Sequence, residues 1–314
     1  TFYFNQENLT LAPETEMEPT DENLLLPAFR YGTSEFLKAN GASKVVIGVS
    51  GGLDSAVNAA LYRSILPAEN ILLVKTPTRY NSELTKGLAA ELAQNLGCQL
   101  LTVPIGDFID ETADALEGLP LPDDTVHLTG FMKENMQARD RSSRILAALS
   151  AAFGGIFTCN ANKTETTVGY GTLYGDLAGA FAATADLWKY QIYDLGRKLN
   201  AWYGRAVIPE GIFTVMPSAE LSENQDVTQG KGDPLIYEYH DYLFRSFIEP
   251  WQRQTPEDIL KAYAKGNLED LIGCSIIVSN IFPTAKDFIE DLEKWWNLFS
   301  GFAVAKRIQT PPLL

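Results

Sequence analysis

Residues 44–55, KVVIGVSGGLDS, decide the fold of this chain. The β-branched run at residues 44–49 predicts a short buried strand. The sequence from residue 54 to about residue 63 suits a helix, and two consecutive glycines, Gly51 and Gly52, stand between the two elements. The stretch therefore predicts a strand, a tight turn and a helix in immediate succession.

The turn at residues 50–55, SGGLDS, which we call the glycine loop, has the composition of a phosphate-binding loop. Its glycines let the backbone turn tightly and aim successive N–H groups at one point, and the helix N-terminus adds partial positive charge. Ser50 and Ser55 add hydroxyl donors, whereas Asp54 would repel a phosphate and so favours an intervening Mg²⁺. The loop fits neither the Walker A pattern nor GxGxxG. The alternative, a plain turn with glycines for geometry, is disfavoured by the flanking serines and aspartate.

The rest of the chain alternates between strand and helix patterns. Further strands are predicted at residues 71–75, 99–104 and 156–160, further helices at residues 82–96, 131–153 and 187–199, and a loop at the Gly- and Ala-rich residues 170–185. Two helices have predicted buried faces, formed by Leu84, Leu88, Leu92 and Leu96 in one and by Ile145, Leu149 and Phe153 in the other. The alternation predicts a doubly wound α/β fold with a mainly parallel sheet, helices on both faces, and ligands at the carboxyl ends of the strands.

The composition limits the classes of function. With 25 basic and 40 acidic residues, the 314-residue chain has a net charge of −15, which disfavours nucleic acid as a partner because phosphate backbones are bound by Lys and Arg. No run of about 18 apolar residues is present, so no membrane-spanning helix is expected. The three cysteines are widely spaced and indicate buried thiols of a cytoplasmic protein. With only two histidines, we expect no Ser-His-Asp or poly-histidine mechanism, and we interpret His127 and Cys159 as structural.

The glycine loop resembles the PP-loop of the ATP pyrophosphatases, which adenylate an oxygen of their substrate and release pyrophosphate. This family includes GMP synthetase, asparagine and argininosuccinate synthetases, tRNA-modifying enzymes and NAD synthetase. The resemblance implies an adenine nucleotide alpha hydrolase-like fold. The loop alone does not distinguish among these enzymes.

Later segments resemble NAD synthetases in particular, and they follow in the same order along the chain. They are residues 135–141 (NMQARDR), 162–176 (NKTETTVGYGTLYGD), 186–189 (DLWK), 217–221 (PSAEL) and Lys306-Arg307. Residues 78–80 (TRY) are similar to the glutamine-dependent branch. Residues 23–314 are therefore identified as similar to the C-terminal synthetase domain of glutamine-dependent NAD synthetase, and residues 1–22 are interpreted as an acidic linker or tail.

The resemblance implies a role for each residue that matches a family motif. Asp54 and Lys189 would be catalytic, and Asp54 and Glu165 would bind Mg²⁺. The implied ATP contacts are Ser50, Gly51, Gly52, Asp54, Ser55, Arg79, Asn160, Lys189 and Ser218. The implied deamido-NAD contacts are Asn135, Arg139, Arg141, Asp176 and Lys306. Asn160 stands where the family has a threonine, so its contact departs from the family pattern.

The resemblance also implies a reaction, the ATP-dependent amidation of deamido-NAD to NAD. The nicotinate carboxylate attacks the α-phosphorus of ATP to give an acyl-adenylate and pyrophosphate, and ammonia then displaces AMP. Ammonia is either free or supplied by a glutaminase domain outside this chain, and the family implies a homodimer. Two alternatives stay open: another PP-loop adenylating amidotransferase, and a non-catalytic nucleotide-binding homologue.

Overall fold

A four-stranded parallel sheet carries the glycine loop. In the computed structural model, which describes residues 24–249, 251 and 253–314, the strands are β1 (Val45–Gly48), β2 (Ile71–Lys75), β3 (Gln99–Thr102) and β4 (Ile156–Phe157). Their order is β3-β2-β1-β4, and β1 pairs in parallel with both β2 and β4. The predicted parallel α/β sheet is confirmed, whereas the linker predicted for residues 1–22 lies outside the described residues.

Helices cover the sheet and build the C-terminal part of the chain. They are α1 (Leu25–Ala39), α2 (Leu53–Arg63), α3 (Glu83–Leu96), α4 (Gly106–Leu116), α5 (Gly130–Arg139), α6 (Ala147–Phe153), α7 (Lys163–Val168), α8 (Lys189–Trp202), α9 (Glu210–Thr214), α10 (Tyr237–Ile248), α11 (Pro256–Lys265), α12 (Leu268–Ile272), α13 (Val278–Ile281), α14 (Ala285–Ser300) and α15 (Ala303–Gln309). A π-helical segment, Asp140–Leu146, joins α5 to α6. In the described part of the chain, no helix is long and apolar enough to cross a bilayer.

The two faces of the sheet receive alternate side chains of each strand. Val45 and Ile47 of β1 belong to a core shared with α2, α3 and α8, whereas Val46 packs with Val74 and Leu146 on the opposite face. Val45, Val46 and Ile47 are fully buried, which stabilises the fold by about 1.5–3 kcal/mol for each side chain. Because both faces of β1 are covered, a ligand reaches this strand at its carboxyl end, where the glycine loop begins.

The predicted buried face of α3 is wrong at one position. Leu88, Leu92 and Leu96 are buried, but Leu84 is 51% exposed. Because each residue turns by about 100° around an α-helix, residues twelve apart point about 120° away from each other. Leu84 has therefore rotated out of the buried stripe that contains Leu96.

The helix predicted at residues 131–153 is continuous but contains the π-helical segment. A π turn holds more residues than an α turn, so it shifts the register of the buried face. Leu146 is the large apolar side chain buried in this region, whereas the predicted Ile145, Leu149 and Phe153 are half-buried. The prediction assumed one helical period throughout, so it could not detect a local change of period.

Residues 170–185 form a loop, as predicted, but residues 181–185 at its end are buried in the core. Phe181 is 1% exposed, and its ring stacks on that of Phe36 with centroids 3.9 Å apart. Thr158 pairs with Phe181 in an isolated bridge, and β4 contains two residues of the five predicted at 156–160. The loop therefore lies beside the end of β4, on the side away from β1.

A second hydrophobic core, which the sequence patterns did not predict, lies among the C-terminal helices. Tyr239, Phe244, Phe288 and Trp295 are fully buried in it. The three cysteines, Cys98, Cys159 and Cys274, are free and buried, as predicted.

Gly51 is the residue on which the shape of the glycine loop depends. Its φ is +90°, and a Cβ at this position would lie 2.2 Å from the carbonyl oxygen of Thr85. We expect Gly51→Ala to lower the free energy of unfolding by about 2 kcal/mol or more, because the variant must accommodate a strained backbone and a clash. Urea denaturation at equilibrium measures the difference.

Gly87 provides the matched control, because it is exposed within α3 and a Cβ there would meet no atom of the described residues within 4 Å. Gly87→Ala should raise the free energy of unfolding by roughly 0.5–1 kcal/mol, since alanine has less conformational freedom in the unfolded chain. Equal effects of the two substitutions would contradict the requirement for glycine at position 51.

Candidate functional site

The glycine loop is held by hydrogen bonds among its own residues. The Ser50 N–H donates to Ser55 Oγ at 3.3 Å, the Gly52 N–H donates to Ser50 Oγ at 3.2 Å, and Ser55 Oγ donates to the Gly52 carbonyl at 3.0 Å. Gly52 precedes α2 and has no side chain with which to cap it. The first N–H groups of the helix are therefore suited to an anionic ligand.

A cavity of about 270 Å³ opens at the glycine loop, beyond the carboxyl ends of β1 and β2. The predicted site residues that line it are Ser50, Gly52, Asp54, Ser55, Arg141, Asn160, Glu165, Asp176, Lys189 and Ser218. The predicted residues outside its lining are Gly51, Arg79, Asn135, Arg139 and Lys306. The fold thus brings most of the predicted site to one place from distant parts of the chain.

Asp54, in the first turn of α2, contacts two polar side chains from other segments. Lys189 Nζ donates to its Oδ2, and Asn162 Nδ2 donates to its Oδ1 at 2.9 Å. The Lys189 side chain is 3% exposed and the Asp54 side chain is 20% exposed, so the ion pair is largely removed from water. Removing one partner of such a buried pair leaves an uncompensated charge and costs about 3–5 kcal/mol.

Glu165 brings a second carboxylate close to Asp54. Burial raises the pKa of Glu165 well above its usual value, and repulsion by Asp54 raises it further, while Lys189 opposes both effects. The Asn162 N–H donates to Glu165 Oε2 at 3.4 Å as part of the cap of α7. Additional positive charge at this point would favour the ionised form of Glu165.

The Lys189 ammonium is the cation that these carboxylates share. Burial by itself lowers the pKa of Lys189, yet Asp54 and Glu165 outweigh burial and raise the pKa above its ordinary value. The ammonium also lies 4.9 Å from the centroid of the Tyr237 ring, within cation–π range. Lys189 therefore stays protonated, which suits it to stabilise negative charge rather than to transfer a proton.

Asp233 is a third carboxylate near Lys189, and the sequence analysis missed it. Its two oxygens accept hydrogen bonds from the hydroxyls of Tyr170 and Tyr237, both at 3.2 Å. Burial raises the pKa of Asp233, while the Lys189 charge lowers it. Asp233 lies in an irregular segment with no motif, so the sequence contained no signal for its position.

The carboxylates Asp54 and Glu165 fit a Mg²⁺ that arrives with a nucleotide. Mg²⁺ is usually bound by one or two carboxylates together with phosphate oxygens and water. The raised pKa of Glu165 marks a position where added positive charge is favourable. Among the described residues, no group of three or more His, Cys, Asp or Glu has the arrangement of a metal site. Two carboxylates suit a metal whose remaining ligands are phosphate oxygens of a substrate and water.

Two buried residues that the sequence analysis missed hold Lys189 in place. Thr164 Oγ1 donates to Asp241 Oδ1 and accepts from the Lys189 N–H at 3.2 Å. Asp241 Oδ2 accepts from the Tyr190 N–H at 3.0 Å, so the pair satisfies the first N–H groups of α8. Burial raises the pKa of Asp241 to about 6, although its hydrogen bonds with Thr164 and Tyr190 act in the opposite direction.

Asn160 and Ser218, two predicted ATP contacts, both line the cavity and are fixed by backbone carbonyls. Asn160 Nδ2 donates to the Gly48 carbonyl at 2.9 Å, at the end of β1. Ser218 Oγ donates to the Gln225 carbonyl at 2.7 Å. Asparagine at position 160 thus keeps a polar group at the cavity with its amide nitrogen turned towards the sheet.

Arg79 lies in a neighbouring depression of about 460 Å³, beyond the ends of β2 and β3. Its Nη1 pairs there with Asp110 at 3.1 Å, and its side chain is 67% exposed. An ATP contact by Arg79 would require this exposed ion pair to open, which costs little in water. In this side-chain position Arg79 does not reach the cavity at the glycine loop, so its contact with ATP stays a prediction.

Three predicted deamido-NAD residues bind the loop that follows α7 rather than line the cavity. Thr172 Oγ1 donates to Asn135 Oδ1 at 2.8 Å, Arg139 Nε donates to the Leu173 carbonyl at 3.2 Å, and Lys306 Nζ donates to the Gly169 carbonyl at 2.7 Å. These hydrogen bonds fix the loop against α5 and α15. Binding of a dinucleotide by the three side chains stays a prediction.

Arg141 and Asp176 line the cavity and carry opposite charges. Burial lowers the pKa of Arg141 to about 10, while Asp176 and Glu220 act in the opposite direction. Burial raises the pKa of Asp176, although its hydrogen bond from the Thr172 N–H, at 2.8 Å, lowers it. A guanidinium that has lost water on this scale is suited to an anionic group of a substrate.

His127 and Cys159 lie outside the cavity lining. His127 Nδ1 is hydrogen-bonded to Glu117 at 2.9 Å on the surface. Burial raises the pKa of Cys159 to about 12, so its thiol stays protonated. Neither residue is placed for nucleophilic or acid–base chemistry at the glycine loop.

Thr164→Val removes the hydroxyl that links Asp241 to the start of α8. We expect the free energy of unfolding to fall by about 1–3 kcal/mol, because the buried Asp241 carboxylate loses a hydrogen bond that water cannot replace. Thr166→Val is the matched control, since Thr166 is buried in the same helix and its hydroxyl donates to the Lys163 carbonyl within that helix. Urea denaturation compares the two variants, and equal losses would refute the link between Thr164 and Asp241.

Comparison with known proteins identifies the family. The family model described as NAD synthase matches residues 30–272. Glutamine-dependent NAD(+) synthetase from Thermotoga maritima is 38% identical over 244 residues, which cover 77% of this chain and 40% of that protein. The chain therefore spans less than half the length of this relative.

Solved structures give the same result. Glutamine-dependent NAD+ synthetase from Acinetobacter baumannii, solved in complex with adenosine diphosphate, is 27% identical, with a TM-score of 0.56 over 87% of this chain and 47% of that chain. A glutamine-dependent NAD(+) synthetase from Cytophaga hutchinsonii has a TM-score of 0.71 over 93% of this chain and 50% of that chain, at 18% identity, and supports the fold alone. Because the family model covers more than half of the sequence, the predicted resemblance is confirmed, and the chain belongs to the NAD synthase family.

Proposed function

We propose that this chain catalyses the ATP-dependent amidation of deamido-NAD to NAD through an acyl-adenylate. The observation that carries the proposal is the group formed by Asp54, Glu165 and Lys189 beside the uncapped N-terminus of α2. This group combines donors for phosphate oxygens, a protonated ammonium and two carboxylates for a metal. Family membership supports deamido-NAD as the acceptor of the adenylyl group.

The first step joins the substrate to AMP. An oxygen of the nicotinate carboxylate attacks the α-phosphorus of ATP, the bond between that phosphorus and the bridging oxygen breaks, and pyrophosphate leaves. Negative charge grows on the phosphate oxygens during this step. The Lys189 ammonium and the N–H groups of the glycine loop are the residues that would stabilise it, and no protein nucleophile is needed.

The second step forms the amide. Ammonia attacks the acyl carbon of the adenylate, the bond from that carbon to the AMP oxygen breaks, and AMP leaves. The attacking nitrogen loses one proton to water as the amide forms. The cavity beyond the carboxyl ends of β1 and β2 would hold the reacting part of the adenylate.

Asp54 and Glu165 are the residues that would hold Mg²⁺, together with phosphate oxygens of ATP. The metal would neutralise the developing phosphate charge as a Lewis acid. With such a charge beside Asp54, Lys189 would no longer be needed there as a counterion. Its ammonium would be available for a phosphate oxygen.

The remaining predicted contacts keep the roles that the resemblance implies, as proposals. Ser50, Gly51, Gly52, Ser55, Arg79, Asn160 and Ser218 would bind ATP. Asn135, Arg139, Arg141, Asp176 and Lys306 would bind deamido-NAD. Arg79 and the three residues that hold the loop after α7 would have to change their present partners to do so.

The source of ammonia, the oligomeric state and the location of the protein are also proposals. The chain spans 40% of its Thermotoga maritima relative, and we propose that a glutaminase domain outside this sequence supplies ammonia to residues 23–314. Free ammonia is the alternative source. The proposed homodimer rests on the family resemblance, and the proposed cytoplasmic location rests on the free, buried cysteines.

The direct test supplies the purified protein with ATP, Mg²⁺, ammonium and deamido-NAD and measures AMP and NAD. We expect equal amounts of the two products, and no AMP when deamido-NAD is left out. AMP that forms without deamido-NAD would indicate another ATP pyrophosphatase. Absence of AMP under all conditions would indicate a nucleotide-binding homologue without this activity.

Lys189→Met should lower kcat/KM for AMP formation by about 10²- to 10³-fold, because the positive charge that balances the phosphates is lost. Lys198→Met is the matched control, since Lys198 lies on the same helix and pairs with Asp194 at 3.4 Å. Thermal unfolding of both variants separates loss of fold from loss of activity. Folded Lys189→Met with activity within about twofold of Lys198→Met would overturn the proposed role of Lys189.

A further inference from the structure

Glu220 is a buried carboxylate for which the reaction described above has no use. It is 2% exposed and lines the cavity beside Ser218. Its φ is +46°, in the left-handed region that residues other than glycine rarely adopt. Such a backbone conformation is strained and persists only where the surrounding contacts hold it.

The carboxylate of Glu220 connects its segment to the glycine loop through α3. It accepts a hydrogen bond from the Thr85 hydroxyl at 2.6 Å and another from the Ser82 N–H at 3.1 Å. The Thr85 carbonyl is the group that approaches Gly51 so closely that a Cβ there would lie 2.2 Å from it. A shift of Thr85 would therefore change the space in which the glycine loop folds.

The same carboxylate connects to Arg141, which also lines the cavity. Asn81 Nδ2 donates to Glu220 Oε2 at 3.4 Å, and Arg141 Nη2 donates to Asn81 Oδ1 at 3.5 Å. Asn81 thus bridges the two charged groups with opposite ends of its amide. Movement of Glu220 would change the position of the guanidinium that faces the cavity.

The backbone of Glu220 also contacts Ser218, which lines the cavity. Its N–H donates to Ser218 Oγ at 3.2 Å, and Ser218 Oγ in turn donates to the Gln225 carbonyl at 2.7 Å. The unusual φ of Glu220 directs the N–H back towards Ser218 while the side chain extends towards Thr85. Glu220 therefore contacts Thr85, which borders the glycine loop, and Asn81, which contacts Arg141.

We propose that Glu220 is a positioning residue that sets the glycine loop for ATP and Arg141 for deamido-NAD. This inference rests on the proposed function for the identity of the two substrates. Glu220 acts through Thr85 and Asn81 and makes no bond with the reacting atoms. A carboxylate is required because three donors converge on it, and a carboxylate offers acceptors only. An amide at this position would turn its own N–H groups towards one of those donors.

The test is Glu220→Gln, which keeps the size of the side chain and places an amide nitrogen among three donors. We expect KM for ATP and KM for deamido-NAD each to rise about tenfold, with a smaller change in kcat, because both binding sites are displaced. Glu223→Gln is the matched control, since Glu223 is exposed in the same segment and the substitution removes the same charge. Its two KM values should equal those of the unsubstituted protein.

Two further variants separate the two connections. Thr85→Val, which keeps the shape of the side chain and removes the hydroxyl, should raise KM for ATP alone. Asn81→Ala should raise KM for deamido-NAD alone. Unchanged KM values in folded Glu220→Gln would overturn the proposal, and so would a variant that loses thermal stability with no effect on either substrate.

Calorimetric titration of ATP without deamido-NAD keeps this test separate from that of the proposed function. If the unsubstituted protein forms no AMP with deamido-NAD, the proposed function fails. The ATP dissociation constant of Glu220→Gln still decides the connection to the glycine loop: a rise of about tenfold supports it, and an unchanged value overturns it.

Discussion

The buried ion pair between Asp54 and Lys189 is the interaction on which the rest of the site depends. It connects the helix after the glycine loop to the start of α8, across 135 residues of sequence, and the apolar sides of the two helices meet in one core. A buried charge without a partner is unfavourable, so each residue fixes the other's position. Thr164, itself bonded to Asp241, accepts a hydrogen bond from the Lys189 N–H, and Asn162 donates one to Asp54. The ion pair is therefore part of a hydrogen-bond network.

The local part of this arrangement follows directly from the sequence. The strand, the glycine loop and α2 occur as predicted, because β-branched residues, adjacent glycines and a helical run determine them within about twenty residues. The pairing of Asp54 with Lys189 is different, since nothing in either segment alone indicates the other. The resemblance supplied both residues as catalytic candidates, and the fold brings them together at one cavity.

Other features depend on tertiary packing, and the periodicity of the sequence did not predict them. The π-helical segment before α6 changes the helical period locally and buries Leu146 in place of its predicted neighbours. The loop that contains Phe181 has a Gly- and Ala-rich composition, and its end is nevertheless part of the core, because Phe181 packs on Phe36 of α1 and pairs with Thr158 after β4. Asp233 lies in no motif, so only its three-dimensional surroundings reveal it. Glu220 lies in the PSAEL segment that resembles the family, but its contacts with Thr85 and Asn81 are visible only in the fold.

The central claim is that the cavity at the glycine loop adenylates a carboxylate, with Lys189 and the loop N–H groups stabilising the charge on phosphate. Transfer of ¹⁸O tests it most directly. Deamido-NAD labelled with ¹⁸O in its nicotinate carboxylate is converted with ATP, Mg²⁺ and ammonium, and the AMP is analysed by mass spectrometry. The account predicts that AMP carries one labelled oxygen from the carboxylate, because the acyl carbon–oxygen bond breaks in the second step. Unlabelled AMP would contradict the adenylate and with it this account of the site.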